Sequence, residues 1–105
     1  MAIIQATDTD FQEVLKSNER VVVKYFADWC GNCRLFSPKF KRMAANEEFG
    51  NVAFVDVNAE VSPEARKLAG VTNLPYFAVF KNGELVEGAA TSKEDYVLEM
   101  VRKLA

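Results

Sequence analysis

Apolar positions along the chain fall into runs of strand length separated by stretches with helical spacing. Three runs are rich in β-branched and aromatic residues: Val21 to Phe26, Val52 to Val57 and Tyr76 to Phe80. Nearly continuous apolar runs are typical of strands covered on both faces of a sheet. A shorter run, Ala2 to Gln5, predicts an edge strand. The Asn-Gly pair at positions 82–83 predicts a hairpin, with Leu85 to Glu87 returning antiparallel to the third run.

Two helices are predicted in the first half of the chain. Residues 7–9, Thr-Asp-Thr, are candidate N-caps for a helix that runs through Phe11 and Leu15. A second helix is predicted from Arg34 to Glu48, and Pro38 inside it is expected to kink it. The buried stripe of this helix is expected to contain Leu35, Phe36, Phe40, Met43 and Ala44.

Two more helices are predicted in the second half. Ser62 and Pro63 have the types expected at an N-cap and a first helical position, and the helix should end at Gly70. Residues 92–95, Ser-Lys-Glu-Asp, resemble a capping box for the last helix. Its buried positions are expected to be Tyr96, Val97, Met100, Val101 and Leu104. The alternation of strands and helices predicts an α/β fold with one domain over residues 1–105.

Composition narrows the function classes. The chain has 105 residues, half of them apolar, and 13 basic against 15 acidic residues give a net charge of −2. The densest basic stretch, Arg34 to Arg42, is interleaved with aromatic residues, which is typical of a solvated helix face and not of a nucleic-acid site. No apolar run reaches membrane-spanning length, and residues 1–10 do not resemble a secretory signal. We expect neither a nucleic-acid partner nor a membrane partner.

The candidate chemistry lies in Cys30-Gly31-Asn32-Cys33, directly after Trp29. If a helix begins at Cys30, the two sulfurs lie one turn apart on one face and can form a disulfide or separate as a dithiol. The free N–H groups and positive dipole end of that helix favour a thiolate at Cys30. Because the thiolate is the species that attacks a disulfide, the position predicts a nucleophile and the spacing predicts its resolving partner.

Metal binding and a purely structural role are the alternatives to redox chemistry for the two cysteines. A closed zinc site needs four ligands, and this chain has only these two cysteines and no histidine. We therefore expect no metal within one chain, while a metal shared by two chains and a purely structural pair stay open. A Cys-x-x-Cys motif after a strand favours redox use. A lone catalytic pair is typical of a reducing compartment, so we expect a cytoplasmic protein.

Several motifs in order resemble the thioredoxin family. They are the segment Val21 to Cys33, Asn73-Leu74-Pro75, residues 80–83 (Phe-Lys-Asn-Gly) and Gly88. The resemblance implies a central mixed sheet with helices on both faces. It also implies a protein-disulfide oxidoreductase of electron transport and cell redox homeostasis. In such a protein Cys30 attacks a protein disulfide and Cys33 then releases the product.

The resemblance further implies the redox centre, the electron donor and the oligomeric state of the protein. The cysteine pair is the redox centre, so no bound cofactor is expected. A reductase or another dithiol would recharge the protein, which is expected to be a monomer. The alternative function that stays open is an adaptor or binding module of the same fold with weak redox turnover.

Four residues are implied to contact substrate. Trp29 would border the substrate groove, and a cis peptide before Pro75 would set the Leu74 backbone beside the sulfurs. Gly88 would let a substrate backbone approach. From the pattern alone, Pro75 would be an ordinary trans proline and Gly88 a strand-end turn. Tyr76 is expected to pack in the core.

Two positions depart from the family pattern. Gly31-Asn32 stands where the family usually has Gly-Pro, and the N–H that Asn32 keeps should make the disulfide somewhat more oxidising. Lys24 stands where the family usually has a buried Asp. Lys24 is interpreted as a cation near the thiolate, as a neutral amine, or as a structural residue that reaches the sheet end or pairs with Asp56. Asp28 is expected to be a solvated loop residue.

Overall fold

The computed structural model describes residues 3–104, so Ala2 of the predicted first strand lies outside the described residues. Strands and helices alternate through the first two thirds of the chain, and a hairpin and a final helix follow. The elements are β1 (Ile4–Ala6), α1 (Phe11–Ser17), β2 (Arg20–Phe26), α2 (Gly31–Ala45), β3 (Ala53–Asn58), α3 (Pro63–Ala69), β4 (Tyr76–Lys81), β5 (Glu84–Ala90) and α4 (Glu94–Arg102). None of the helices within residues 3–104 is long and apolar enough to span a bilayer.

The five strands form one mixed sheet in the order β1-β3-β2-β4-β5. β3 pairs in parallel with both β1 and β2, whereas β4 pairs antiparallel with β2 and β5. The predicted mixed sheet, the edge position of the first strand and the Asn-Gly hairpin are confirmed. At that hairpin Asn82 and Gly83 have φ values of 54° and 82°, a conformation that favours these residue types.

Each face of the sheet buries its own apolar cluster. One cluster joins Val21, Val23 and Tyr25 of β2 to α1 and α3, and it includes Phe11 and Leu15. The other joins Val22 of β2 to α2 and α4, and its members include Phe36, Phe40, Phe77, Met100 and Leu104. Because successive side chains of a strand point to opposite faces, Lys24 shares the face of Val22. The sheet is therefore covered by helices on both sides, as expected.

The second helix differs from its predicted bounds. It begins at Gly31 and ends at Ala45, and a short 3₁₀ turn follows over Glu47–Phe49. Pro38 lies inside it, as expected. Leu35, which was expected in the buried stripe, is 72% exposed, whereas Phe36 and Phe40 of the same stripe are buried. The prediction for Leu35 was wrong because it lies just beyond the edge of the stripe that faces the sheet.

Ser62 is at the N-cap position of α3 and Pro63 is its first residue, as predicted, but the capping bonds at α3 and the cap of α1 differ from prediction. The side chain of Ser62 makes no capping bond at the start of α3; the carboxylate of Asp8 accepts hydrogen bonds from the backbone N–H groups of Glu64 (3.0 Å) and Ala65 (2.9 Å) instead. Asp8 therefore caps a helix more than fifty residues away and not the helix that follows it. α1 has Asp10 at its N-cap position. Gly70 ends α3 with a φ of 65°, as predicted.

The last helix also departs from prediction. Its N-cap position is Lys93, without a side-chain capping bond, so the predicted capping box is not formed. Tyr96 is 42% exposed and was wrongly placed in the core; its hydroxyl donates to Glu87 (3.3 Å) on β5. The other four predicted positions of this helix are buried, and Leu104 lies just beyond the helix end.

Candidate active site

The two cysteines lie where β2 ends and α2 begins. Cys30 is the N-cap residue of α2, with extended backbone angles, and Cys33 is in the first helical turn. They form a disulfide, with their Cα atoms 5.3 Å apart. The Cys33 N–H donates to Cys30 Sγ at 3.2 Å, so the sulfur of Cys30 occupies the position of a capping acceptor. This places Cys30 at the positive end of the helix dipole, as the motif predicts.

Burial does not separate the two sulfurs. Cys30 is 4% exposed and Cys33 is 2% exposed, and both pack with Ala27, Phe26 and Leu74. Although Cys30 is at the start of the helix, it is not exposed in this disulfide form. What distinguishes the two cysteines is their position in the helix, because Cys30 alone caps it.

The outer side of the cysteine pair carries an exposed aromatic residue. Trp29 is 67% exposed, and its Nε1 donates to Glu60 Oε2 at 2.9 Å. Leu74, which packs against the cysteines, precedes Pro75 through a cis peptide bond, as predicted from the resemblance. Trp29 is exposed and Leu74 is half-buried, whereas Pro75 is buried, so only the first two present side-chain surface on the outer side. The substrate role of all three stays a prediction.

Gly88 lies on β5 opposite Ala78 and faces a core residue. A methyl group at position 88 would lie 2.5 Å from Tyr76 Oη. Tyr76 is buried, as predicted, and its hydroxyl donates to the Ala69 carbonyl at 3.0 Å. Gly88 therefore makes room for the Tyr76 ring inside the fold. Its predicted role in substrate approach gains no support from this contact and stays a prediction.

The inner side of the pair is a cavity of about 300 Å³. Cys33 borders it, and so do the buried side chains of β2 and β3 that lie beneath the start of α2. The residues that line it with polar groups are Lys24, Asp28, Cys33, Arg34, Ser37 and Asp56. Of the two cysteines, only Cys33 borders this cavity.

Lys24 is the charged residue most deeply buried here, at 2% exposure. Its Nζ donates to Ser37 Oγ at 2.7 Å and lies 3.5 Å from Asp56 Oδ1. Nζ also faces the Phe40 ring at 5.3 Å and the Phe26 ring at 5.8 Å. Burial lowers the pKa of Lys24 below its usual 10.5, while the nearby charge of Asp56 opposes that shift.

Asp56 is the partner of Lys24 because the parallel register of β2 and β3 sets the two residues side by side. Of the interpretations of Lys24, the pair with Asp56 is confirmed. Asp56 Oδ2 accepts a hydrogen bond from Gln5 Nε2 at 3.3 Å, whereas Oδ1 is buried and accepts none from the described residues. Asp28 is exposed, as predicted.

Two residues of the site were missed from the sequence. The Ser37 hydroxyl donates to the Cys33 carbonyl at 3.2 Å and so connects Lys24 to the redox helix. Its position four residues after Cys33, on the same helical face, was the available signal. The second is Glu60, which holds the Trp29 indole; no local pattern links these two residues, since they are 31 positions apart.

Comparisons with known proteins agree with this geometry. The family model described as thioredoxin matches residues 2–103. Thioredoxin 1 of a Nostoc species is 37% identical over 87 residues, covering 82% of this chain and 80% of that protein. A solved structure of a reduced thioredoxin pre-protein from Schistosoma mansoni has a TM-score of 0.88 with 30% identity over the whole of both chains.

A further relative is much longer than this chain. It is the peptide-N(4)-(N-acetyl-beta-glucosaminyl)asparagine amidase of Caenorhabditis briggsae, which is 33% identical over 97 residues. The match covers 90% of this chain but only 16% of that protein. The similarity therefore concerns one segment of the amidase.

Proposed function

We infer the function of this chain from the premise that it belongs to the thioredoxin family, whose model matches residues 2–103. Its redox centre is the pair Cys30 and Cys33, which lie at disulfide distance at the start of α2. The chain is accordingly a thiol–disulfide oxidoreductase. The observation that carries this function is the Cys30 sulfur at the helix N-cap, with its partner sulfur one turn along.

We propose that the reaction runs mainly towards reduction of protein disulfides. The Cys30 thiolate attacks one sulfur of the substrate, forms a mixed disulfide and releases the other substrate sulfur as a thiolate. Cys33 then loses its proton and attacks Cys30 Sγ, which releases the second substrate sulfur. Two electrons have then moved from the Cys30–Cys33 dithiol to the substrate, and the protein is left with its own disulfide.

The partners follow from this chemistry. Protein substrates would contact the outer side, where Trp29 is exposed and Leu74 borders the sulfurs. A reductase or another dithiol would return two electrons to the disulfide. We propose that one copy of the chain is sufficient, because both cysteines, the Trp29 surface and the inner cavity come from a single chain. A reducing compartment such as the cytoplasm would keep the pair in use as a catalyst.

The test is reduction of insulin disulfides in the presence of dithiothreitol. The protein should accelerate insulin precipitation far above the rate with dithiothreitol alone, and Cys30→Ser should abolish that acceleration. Cys33→Ser should accumulate mixed disulfides with substrate, whereas Cys30→Ser should accumulate few. No acceleration, with insulin bound to the Trp29 surface, would favour an adaptor of the same fold. Mixed disulfides in Cys30→Ser alone would reverse the roles of the two cysteines.

A further inference from the structure

The inner cavity supplies a carboxylate to a cysteine that must lose a proton. We propose that Asp56 accepts the proton of Cys33 when Cys33 resolves the mixed disulfide. This inference rests on the proposed function, since it concerns the second step of that reaction. It assigns a proton-transfer role to a residue of β3, outside the cysteine motif.

Cys33 needs an acceptor on the inner side. A thiol must become a thiolate before it attacks a disulfide. Cys33 is 2% exposed, so bulk solvent reaches it poorly. The cavity of about 300 Å³ is bordered by Cys33 and Asp56 together, and its volume is enough for water to connect the two groups. Proton transfer can therefore proceed through water inside the cavity.

One oxygen of Asp56 is free to accept this proton. Oδ2 already accepts a hydrogen bond from Gln5, but Oδ1 accepts none from the described residues although it is buried. The 3.5 Å between Oδ1 and Lys24 Nζ is an ion-pair distance and exceeds an ordinary N–H···O hydrogen bond. A buried acceptor without a donor is uncommon in folded proteins and usually has a functional reason.

Lys24 is the weaker candidate for the same role. Its Nζ donates to Ser37 Oγ at 2.7 Å and faces two aromatic rings, and both interactions favour the ammonium form. An ammonium group has no lone pair and cannot accept a proton. Lys24 therefore serves as the ion-pair partner of Asp56 on one side and as a hydrogen-bond donor to Ser37 of the redox helix on the other.

The remaining charged groups around the cavity do not replace Asp56. Arg34 and Lys41 of α2 are cations; Arg34 borders the cavity, and the charge of Lys41 opposes protonation of Lys24. Asp28, in the loop before the motif, borders the cavity but is exposed. Among the described residues, Asp56 is the only carboxylate on this cavity with a buried oxygen that accepts no hydrogen bond.

Resolution of the mixed disulfide moves one proton and one electron pair away from Cys33. The Cys33 proton moves to Asp56, and the Cys33 electron pair forms the new bond to Cys30 Sγ. The bond between Cys30 Sγ and the substrate sulfur breaks, and that sulfur leaves with the electron pair as a thiolate. Asp56 later returns the proton to solvent, so the carboxylate is regenerated.

The experiment is single-turnover stopped flow with the reduced protein and a symmetric aryl disulfide that releases a coloured thiolate at each step. The first phase reports attack by Cys30 and the second reports resolution by Cys33. Asp56→Asn should slow the second phase at pH 7 by about tenfold or more, in the range of general-base catalysis, and leave the first phase within twofold. Asp28→Asn, the same chemical change at an exposed position of the cavity, should leave both phases within twofold.

The pH profile separates proton transfer from a structural effect. With Asp56 present, the second phase should vary little between pH 7 and 8.5. In Asp56→Asn it should rise about tenfold per pH unit until it approaches an ordinary thiol pKa near 8.5, so that the deficit closes at high pH. A deficit of equal size at every pH, or no deficit at all, would overturn the proposal while leaving the first phase, and hence the proposed function, intact.

Variants with balanced charge guard against misfolding of Asp56→Asn. Lys24→Met together with Asp56→Asn removes both charges and should show the steep profile. Lys24→Met alone keeps the carboxylate and should keep the shallow profile. If Lys24→Met alone becomes as steep as the double variant, the amine is the acceptor and the assignment to Asp56 is wrong. Absence of the first phase in the unmodified protein would instead refute the proposed function.

Discussion

The two sides of the cysteine pair differ in chemistry. The outer side presents an exposed Trp29 and the Leu74–Pro75 segment, with the indole held by Glu60. The inner side is a cavity in which the buried ion pair of Lys24 and Asp56 lies beside Cys33. The outer side has apolar surface for a protein partner, and the inner side has charges that can handle a proton. Under the proposed function, substrate contact and proton transfer would therefore use opposite sides of one cysteine pair.

The largest effect should come from removing one half of the inner ion pair. Because Lys24 is buried and the Asp56 side chain is only 15% exposed, Asp56→Asn or Lys24→Met should each reduce the free energy of unfolding by about 3 kcal/mol. The double variant should recover most of that loss, since it leaves no buried charge without a partner. Urea unfolding of the four proteins measures this, and additive losses would mean that the two charges do not interact.

Gly88 was predicted to contact substrate, but it packs against the core residue Tyr76. Gly88→Ala should reduce the free energy of unfolding by about 1–3 kcal/mol, because the new methyl group would lie 2.5 Å from Tyr76 Oη. The loss should be smaller in a Tyr76→Phe background, which lacks that oxygen. A double-mutant cycle by urea unfolding measures the coupling. If Gly88→Ala left stability unchanged and raised only KM, Gly88 would belong to the substrate surface.

Asn32 is expected to affect the redox potential of the cysteine pair at the start of α2. It lies in the first turn of α2 and keeps a backbone N–H that proline would lack. Asn32→Pro should therefore make the protein more reducing by tens of millivolts, on the order of 1–2 kcal/mol in the thiol–disulfide equilibrium. Equilibration of both proteins with glutathione measures the shift. The N–H of Cys33 already donates to Cys30 Sγ. An unchanged potential would mean that this hydrogen bond stabilises the Cys30 sulfur without help from the N–H of Asn32.

The ion pair also predicts a pH dependence of stability. Burial lowers the pKa of Lys24 in the folded protein below 10.5, so the unfolded chain binds more protons in the window just below pH 10.5. The stability of the unmodified protein relative to Lys24→Met should therefore rise with pH through that window, by at most about 1.4 kcal/mol per pH unit. Urea unfolding at several alkaline pH values checks the sign. A falling difference would mean that Asp56 outweighs burial.

The smallest effect on stability is expected on the outer side. Trp29→Ala should change the free energy of unfolding by less than about 0.5 kcal/mol, because the side chain is exposed. It should raise KM for a protein disulfide about fivefold, equivalent to about 1 kcal/mol of binding. Leu35→Ala is the matched control, since Leu35 on α2 is similarly exposed but was not predicted to contact substrate. Equal KM changes in both variants would remove the special role of Trp29.

The order of elements could be predicted from the sequence because it depends on local pattern. The runs of β2, β3 and β4 are almost continuously apolar, with Lys24 and Asp56 as the interior exceptions, and their observed bounds differ from the predicted ones by one residue at one or both ends. Gly70 and the Asn-Gly turn have residue types that fit a positive φ, so their positions were also predictable. These features need no information from distant parts of the chain.

The errors concern contacts between residues far apart in sequence. Asp8 was assigned to the nearest helix, yet its carboxylate caps α3. Similarly, Lys24 had several interpretations until the register between β2 and β3 identified Asp56 as its neighbour. The exposure of Leu35 depends on how α2 is rotated against the sheet, which its sequence spacing leaves open to within one position.

The register that joins Lys24 to Asp56 also limits how this protein can be recombined. A chimera that takes β2 from a relative with aspartate at position 24, but keeps β3 from this chain, would hold two carboxylates side by side in the interior. The reverse chimera, with this β2 and a lysine at position 56, would hold two ammonium groups. Chimeras joined between β2 and β3 are therefore expected to be unstable, and the two strands should be taken from the same parent protein.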